Sequence, residues 1–208
     1  MESCLIVQGP TIGDNVIDIK KYWNGFPIIF STWIDQIDKN VYSDTDVVIY
    51  NEYPYNKGTS NLNLQLVSSL NGMLKAKEMG YNRVIKWRQD FYPSDYKKLI
   101  NLFKKDCINF YSYVTHENGY VTDYFMEGDI YDMINLFKIK NVNVPYPEFA
   151  FTKKLFDLGL DKKSNFICRE LDDENDIFWK KKNLWLSRNN KYKPKMYKNF
   201  IILTRKQN

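Results

Sequence analysis

The sequence predicts an α/β protein with a mainly parallel sheet and helices on both faces. Short apolar runs that read as buried strands alternate with longer segments of helical periodicity, and this alternation is typical of crossover connections between parallel strands. Several of these runs end in polar residues, as parallel strands do where they line a ligand crevice. At 208 residues the chain suits one domain with a full core and a C-terminal extension.

The predicted elements follow one another from the first apolar run onward. Strands are expected at residues 4–8, 27–32, 46–51, 84–88 and 110–114. Helices are expected at residues 14–23, 59–79, 93–104, 129–137 and 147–158. An acidic stretch at 172–176 gives way to a basic tail, so we assign residues 1–175 to the domain and 176–208 to the extension.

Charge is distributed unevenly between the domain and the tail. From Trp179 onward the chain has ten Lys or Arg and no acidic residue, so residues 1–178 hold 20 basic and 25 acidic side chains, a balance of −5. One interpretation of such a run is a solvated surface segment. The alternatives are that the tail covers a diphosphate in a site of the domain, or that it contacts an anionic acceptor or a membrane surface.

The cysteines and the amino terminus indicate a compartment. The three cysteines, Cys4, Cys107 and Cys168, are widely spaced without the rhythm of metal ligands, which favours reduced thiols in the cytosol. Residues 1–3 have no basic character, and no apolar run approaches the length of a membrane span. We therefore expect a cytoplasmic protein, with peripheral membrane contact through the tail as an option.

The segment from Gly80 to Asp90 carries the strongest functional signal. It reads as a buried strand that ends in Lys86, Arg88 and Asp90. Cationic side chains at the carboxyl end of a strand favour an anionic ligand, because an open α/β sheet presents its crevice there. Lys86 and Arg88 alternate with Trp87 and are expected on one side of the strand. Asp90 suits a Mg²⁺ or Mn²⁺ ligand, and alternatively a structural turn.

Other predicted strands end in polar residues that belong to the same edge. Gln8 and Gly9 end the first strand, and the glycine allows a base or a ribose to approach the backbone closely. Thr32 and Asn51 end the second and third strands. Because carboxyl ends of parallel strands meet at one edge, we expect these residues near Asp90.

The helix predicted at 59–79 has an unusual outer face. Its first sixteen residues contain no charge, and one face consists only of small and amide side chains, namely Asn61, Gln65, Ser68 and Gly72. Close packing on another element explains such a face. Alternatively, Asn63, Gln65 and the amino end of the helix face a nucleotide, whose phosphates suit that end of the helix dipole.

Asp123 and Glu148 are the candidate acid/base residues. Either carboxylate suits the removal of a proton from an acceptor hydroxyl, and either could be a structural cap instead. His116 is the single histidine and stands in a polar turn, which favours a surface position. One histidine and scattered cysteines give little support to a zinc site, a Cys–His pair or a Ser-His-Asp triad.

These motifs, in this order, resemble the WavE-type glycosyltransferases of lipopolysaccharide and capsule synthesis, which have a GT-A-like, Rossmann-like fold. The matching segments are residues 6–10, 30–33, 46–48, 63–65 with 68, 69 and 72, 86–90, 122–125 with 128, 132, 133, 136 and 137, and 147–148. The family usually has a small residue where this chain has Gln89. Residues 88–90 are Arg-Gln-Asp, so a full Asp-x-Asp motif is absent and metal dependence stays open.

The resemblance implies transfer of a sugar from a nucleotide diphosphate donor, with UDP expected, onto a surface glycan or polysaccharide acceptor. It implies Mn²⁺ or Mg²⁺ as the cofactor if Asp90 binds a metal, and it places Asp123 and Glu148 near the acceptor. The implied donor-binding residues are Gln8, Thr32, Asn63, Gln65, Arg88 and Asp90, to which the strand-end analysis adds Gly9 and Lys86.

Two other classes of function stay open at this point. Aromatic residues interleave with lysines in the tail, a pattern that suits stacking on single-stranded nucleic acid or contact with another anionic surface. The net acidic domain argues against this, so we expect no nucleic-acid partner. A nucleotide-binding subunit without catalysis is the third class.

Overall fold

The structure is a computed structural model, and it describes residues 3–36, 41–92, 100–113, 120–140, 144, 147–167 and 180–181. Within those ranges, strands β1 to β9 span Ser3–Gln8, Ile28–Trp33, Val47–Asn51, Arg83–Arg88, Phe91–Tyr92, Ile108–Tyr113, Tyr120–Asp129, Ser164–Ile167 and Lys180–Lys181. Helices α1 to α4 span Gly13–Tyr22, Leu62–Glu78, Ile130–Phe137 and Pro147–Asp157. Short 3-10 turns lie at Thr59–Asn61 and Leu160–Lys163.

Seven of these strands form one sheet in the order β3-β2-β1-β4-β7-β6-β8. β1 pairs in parallel with β2 and β4, β2 with β3, and β6 with β8. β7 is antiparallel to both of its neighbours, β4 and β6. The sheet is therefore mainly parallel, which confirms the predicted α/β class.

The strand order reverses between β1 and β4. After β1 the chain adds β2 and then β3 on one side, and it returns through α2 to place β4 on the other side of β1. In open α/β sheets the connections on the two sides of such a reversal diverge, which leaves a crevice beyond the carboxyl ends of the two strands. Gln8 pairs with Arg88 in this register, so these two residues stand at the mouth of the crevice.

Helices cover both faces of the sheet, as predicted. Alternate residues of β1 enter separate cores: Cys4 and Ile6 pack with side chains of α2, α3 and α4, whereas Leu5 and Val7 pack with side chains of α1. Cys4 is fully buried, and burial raises the pKa of its thiol to about 12. Cys107 is a partly exposed free thiol, and Cys168 lies outside the described residues.

The uncharged face of α2 packs closely on the sheet. A Cβ added to Gly72 would lie 2.4 Å from Cγ2 of Ile6 on β1. Ser31 on β2 donates from its hydroxyl to the carbonyl oxygen of Ser68, at 2.7 Å. The small side chain of Ser68 and the missing side chain of Gly72 therefore allow α2 to pack closely against the sheet. The helix predicted from residue 59 begins at Leu62, because Asn61 before it has a left-handed backbone.

A buried ion pair fixes the antiparallel part of the sheet. Arg83 on β4 donates to both carboxylate oxygens of Glu127 on β7, at 2.7 and 3.0 Å, and Asn109 on β6 donates to the same carboxylate. These contacts join three neighbouring strands. A buried charge without its partner is strongly destabilising, so this pairing stabilises the register of the three strands relative to slipped alternatives.

Several elements differ from the sequence predictions. β7 was not predicted, because its buried Asp123 and Glu127 make the segment look polar, and β5, β8 and β9 were missed as well. The prediction of a helix at 93–104 is wrong at its carboxyl end, because residues 101–107 form turns and irregular backbone. Residues 93–99 lie outside the described ranges. None of the helices in the described part of the chain is both long and apolar enough to cross a membrane.

Substitution of Gly72 by Ala should destabilise the protein. The new methyl group would collide with Ile6, and overpacking of this kind costs about 1–3 kcal/mol. Urea unfolding measures the change, with Leu74→Ala at an exposed position of the same helix as the control. Alanine normally stabilises a helix relative to glycine, so a more stable Gly72→Ala variant would contradict the close approach.

Candidate active site

The candidate site lies at the carboxyl ends of β1 and β4. β1 ends at Gln8, and Gly9 follows with a φ of +128°, a conformation that a side chain would strain. The backbone N–H of Gln89 donates to the carbonyl oxygen of Gln8 at 2.8 Å. The two strand ends are thus held side by side, and the glycine turns the chain away from the mouth of the crevice.

Gln89 fastens the loop after β1 to the end of β4. With its amide oriented to satisfy both neighbours, the side chain donates to the Pro10 carbonyl oxygen at 3.0 Å and accepts from the Ile12 N–H at 3.1 Å. Asn15 on α1 donates to the Gln89 carbonyl oxygen at 2.9 Å. The sequence alone predicted no role for this residue, although its difference from the small residue of the WavE-type motif was a signal.

Arg88 links two carboxylates of the site. Its Nε and Nη2 donate to the two carboxylate oxygens of Asp90, at 2.9 and 2.7 Å. Its Nη1 donates to Oδ2 of Asp123 on β7 at 3.2 Å. The side chains of Arg88 and Asp90 are 24% and 31% exposed, whereas that of Asp123 is 1% exposed. A ligand arriving from solvent would therefore meet the Arg88–Asp90 pair first.

Lys86 lies behind this pair and is completely buried. Its ammonium group donates to the backbone carbonyl oxygen of Asp123. Burial lowers the pKa of Lys86 to about 8, although the nearby charge of Asp123 acts in the opposite direction. Lys86 and Arg88 share one side of β4, as predicted. Arg88 is partly exposed, whereas Lys86 is enclosed by protein and is not open to solvent.

Glu148 in the first turn of α4 completes the charged cluster. Burial raises the pKa of its carboxyl group, and the negative charge of Asp123 raises it further, whereas Arg88 and Lys86 lower it. The structure thus brings together Lys86, Arg88, Asp90, Asp123 and Glu148. Two cations and three carboxylates give this cluster a net charge of −1 when all are ionised.

The other predicted strand ends take part in internal hydrogen bonds. Thr32 is buried, and its hydroxyl lies 2.8 Å from that of Thr11, which in turn lies 3.0 Å from the hydroxyl of Tyr42. Asn51 donates to the Ser31 hydroxyl at 2.9 Å and to the Thr32 carbonyl oxygen at 2.7 Å. These contacts hold the edge of the sheet together, and they give Thr32 and Asn51 a structural role.

The amide residues predicted to bind the donor fall into two groups. Asn63 donates to the Asn56 carbonyl oxygen at 2.9 Å and so holds the loop that precedes α2. The side-chain oxygens of Gln8 and Gln65 are buried and lack a hydrogen-bond partner among the described residues. Such an oxygen costs free energy until a donor satisfies it. Gln8 lies beside Arg88 at the end of β1, but its amide oxygen is enclosed by protein and is not open to a ligand without a local rearrangement.

Asp90, the predicted metal ligand, is hydrogen-bonded to Arg88. Both of its oxygens accept from Arg88, whereas Mg²⁺ and Mn²⁺ bind carboxylate oxygens directly. Across the described ranges, the structure contains no group of three or more His, Cys, Asp or Glu side chains that could hold a metal. The predicted Mn²⁺ or Mg²⁺ at Asp90 stays a prediction, and the ligand set does not favour it.

Only a small part of the C-terminal extension is described. β9, at Lys180–Lys181, pairs antiparallel with β5, which starts directly after Asp90. His116 and residues 182–208 lie outside the described ranges. The domain boundary and the position of the extension near the donor site stay predictions.

Comparison with solved structures identifies the class of fold. A protein from Desulfovibrio desulfuricans, described as a candidate nucleotide-diphospho-sugar transferase, aligns with a TM-score of 0.54 at 12% identity, over 81% of this chain and 80% of that one. A mannose-1-phosphate geranyltransferase from Thermus thermophilus aligns with a TM-score of 0.49 at 10% identity, over 87% of this chain and 76% of that one. The sequence matches no protein-family model and no curated protein.

The first of these similarities shows the fold alone. This chain has the GT-A-like, Rossmann-like fold of nucleotide-diphospho-sugar transferases, as the sequence predicted. The charged cluster lies at the reversal of strand order, which is where a fold of this kind binds its ligands.

Replacement of Lys86 by Met should change how stability depends on pH. The pKa of Lys86 is about 8 in the folded protein, below its ordinary value of 10.5, so the unfolded chain binds more protons between these values. The free energy of unfolding of the native sequence should therefore rise from pH 8 to pH 10.5 by up to about 3 kcal/mol. Lys86→Met should lack this rise in denaturant unfolding.

The exposed Lys140 provides the matched control for this experiment. Lys140→Met should keep the full rise, because it leaves Lys86 in place. Identical pH profiles for the native sequence and Lys86→Met would contradict the lowered pKa of Lys86.

Proposed function

We propose that the protein is a glycosyltransferase that moves a sugar from a nucleotide diphosphate, with UDP the favoured nucleotide, onto a glycan acceptor. The observation that carries this proposal is the cluster of five ionisable side chains at the point where the strand order reverses between β1 and β4. The shared fold supports the same class of reaction. A single surface lysine or a single carboxylate would not be enough to support this proposal.

Arg88 suits the diphosphate of the donor. The guanidinium group is planar, is always charged and donates two parallel hydrogen bonds to a phosphate as it does to Asp90. The leaving diphosphate gains negative charge as the bond to the sugar breaks, so a fixed cation stabilises the transition state more than the ground state. Gln8, beside Arg88 at the end of β1, adds a side-chain amide to this part of the site.

Glu148 is the better placed of the two candidate bases. It is partly exposed and its pKa is raised toward the working range of a base, whereas Asp123 is buried and is held by Arg88. In the reaction, an acceptor oxygen bonds to the anomeric carbon, the bond from that carbon to the diphosphate oxygen breaks, and its electron pair leaves with the diphosphate. The acceptor proton passes to Glu148.

The finer features of the proposal rest on the sequence. The resemblance to WavE-type enzymes suggests a growing lipopolysaccharide or capsule glycan as the acceptor, with the reaction on the cytoplasmic side. The basic tail suits peripheral contact with the anionic membrane that carries such an acceptor.

A panel of nucleotides tests the proposal at the level of binding. UDP and UDP-sugars should raise the melting temperature, whereas a single-stranded oligonucleotide of equal charge should not. Stabilisation by the oligonucleotide alone would favour the anionic-surface binder. Stabilisation by UDP without hydrolysis or transfer of any UDP-sugar would favour a nucleotide-binding subunit that lacks catalysis.

Replacement of Glu148 by Gln should lower kcat by about 10²- to 10⁴-fold, which is the usual contribution of a general base, and should leave UDP binding nearly unchanged. Because the base must be deprotonated, the activity of the native sequence should rise with pH through the raised pKa of Glu148. Glu52→Gln, at an exposed position, should keep full activity. Equal kcat values for Glu148→Gln and Glu52→Gln would exclude Glu148 as the base.

A further inference from the structure

The charge of the site sets a problem for a nucleotide diphosphate. The cluster already has one more carboxylate than it has cations, and a diphosphate adds further negative charge. Like charges in a partly buried site repel each other strongly. Binding is therefore favoured by a metal cation, or by the phosphate taking the place of a carboxylate on a cation that the protein already has.

The Arg88–Asp90 pair can make that change. The pair is partly exposed, and a phosphate offers the guanidinium group the same bidentate geometry that Asp90 offers. Nη1 of Arg88 also donates to the buried carboxylate of Asp123, which orients the guanidinium group from behind. Arg88 can therefore exchange one anionic partner for another without losing its orientation.

We propose that the diphosphate binds without a divalent metal, by replacing Asp90 on the guanidinium group of Arg88. The released carboxylate of Asp90 then accepts hydrogen bonds from hydroxyl groups of the donor sugar. When no donor is bound, the carboxylate of Asp90 therefore fills the phosphate site on Arg88. When a donor is bound, the same carboxylate binds the sugar. This inference rests on the proposed function and specifies how the donor is recognised.

Calorimetric titration of the full chain with UDP, in EDTA and again in Mn²⁺, tests this inference. The dissociation constant should agree within about twofold between the two buffers, because no metal takes part. Asp90→Asn should bind UDP in EDTA as tightly as the native sequence or several-fold more tightly, because a competing carboxylate is removed. The same variant should turn over a UDP-sugar more slowly, because the amide replaces an acceptor of the sugar hydroxyls.

Two further variants complete the experiment. Arg88→Met should weaken UDP binding by about 10- to 100-fold, the value of hydrogen bonds to a charged group. Asp44 is an exposed carboxylate outside the cluster, and Asp44→Asn should match the native sequence in UDP binding in both buffers and in turnover. If Arg88→Met fails to fold, the comparison of EDTA with Mn²⁺ and the Asp90→Asn variant still decide the question.

The outcomes separate this inference from the proposed function. UDP binding that needs Mn²⁺ and is lost in Asp90→Asn would overturn the inference, would place the metal on Asp90 and would leave the glycosyltransferase proposal intact. Failure of UDP and UDP-sugars to bind in either buffer would overturn the proposed function itself. Equal binding in both buffers, with Asp90→Asn binding at least as tightly as the native sequence, would support both.

Discussion

The arrangement of the site depends on the hydrogen bonds of Arg88. The guanidinium group donates to Asp90 just beyond β4 and to Asp123 on the antiparallel strand β7. Lys86 holds the backbone of Asp123 from behind, and Glu148 experiences the charges of Asp123, Arg88 and Lys86. One cation at the end of β4 therefore connects two strands and influences a helix. Without it, the carboxylates of Asp90 and Asp123 would lack the cation that they share, and like charges repel each other strongly in a partly buried site.

The sheet explains why this cation lies where it does. The reversal of strand order leaves the ends of β1 and β4 uncovered, and the ion pair of Arg83 with Glu127 places β7 beside β4 at the other end of the same strands. Asp123 then lies near the crevice because β7 runs in the opposite direction to β4. The close approach of α2 to Ile6 keeps that helix tightly packed on the sheet.

Much of this could be predicted from the sequence, because it depends on local pattern. Apolar runs indicated β1 to β4, and polar residues at their ends indicated Gln8, Arg88 and Asp90 as neighbours. The rest depends on contacts between distant segments. Lys86 reads as a surface cation until β7 and α4 are known to bury it. Asp123 makes its strand look like a loop, and Gln89 acquires a role only from the loop that packs against it.

A crystal structure of the protein with UDP bound tests the central claim most directly. The diphosphate should lie beyond the ends of β1 and β4, with its oxygens on the guanidinium group of Arg88 and with Gln8 in contact with the nucleoside. A diphosphate bound at the opposite end of the sheet, in the cleft of about 520 Å³ lined by Arg83, Lys105 and Lys163, would contradict the account.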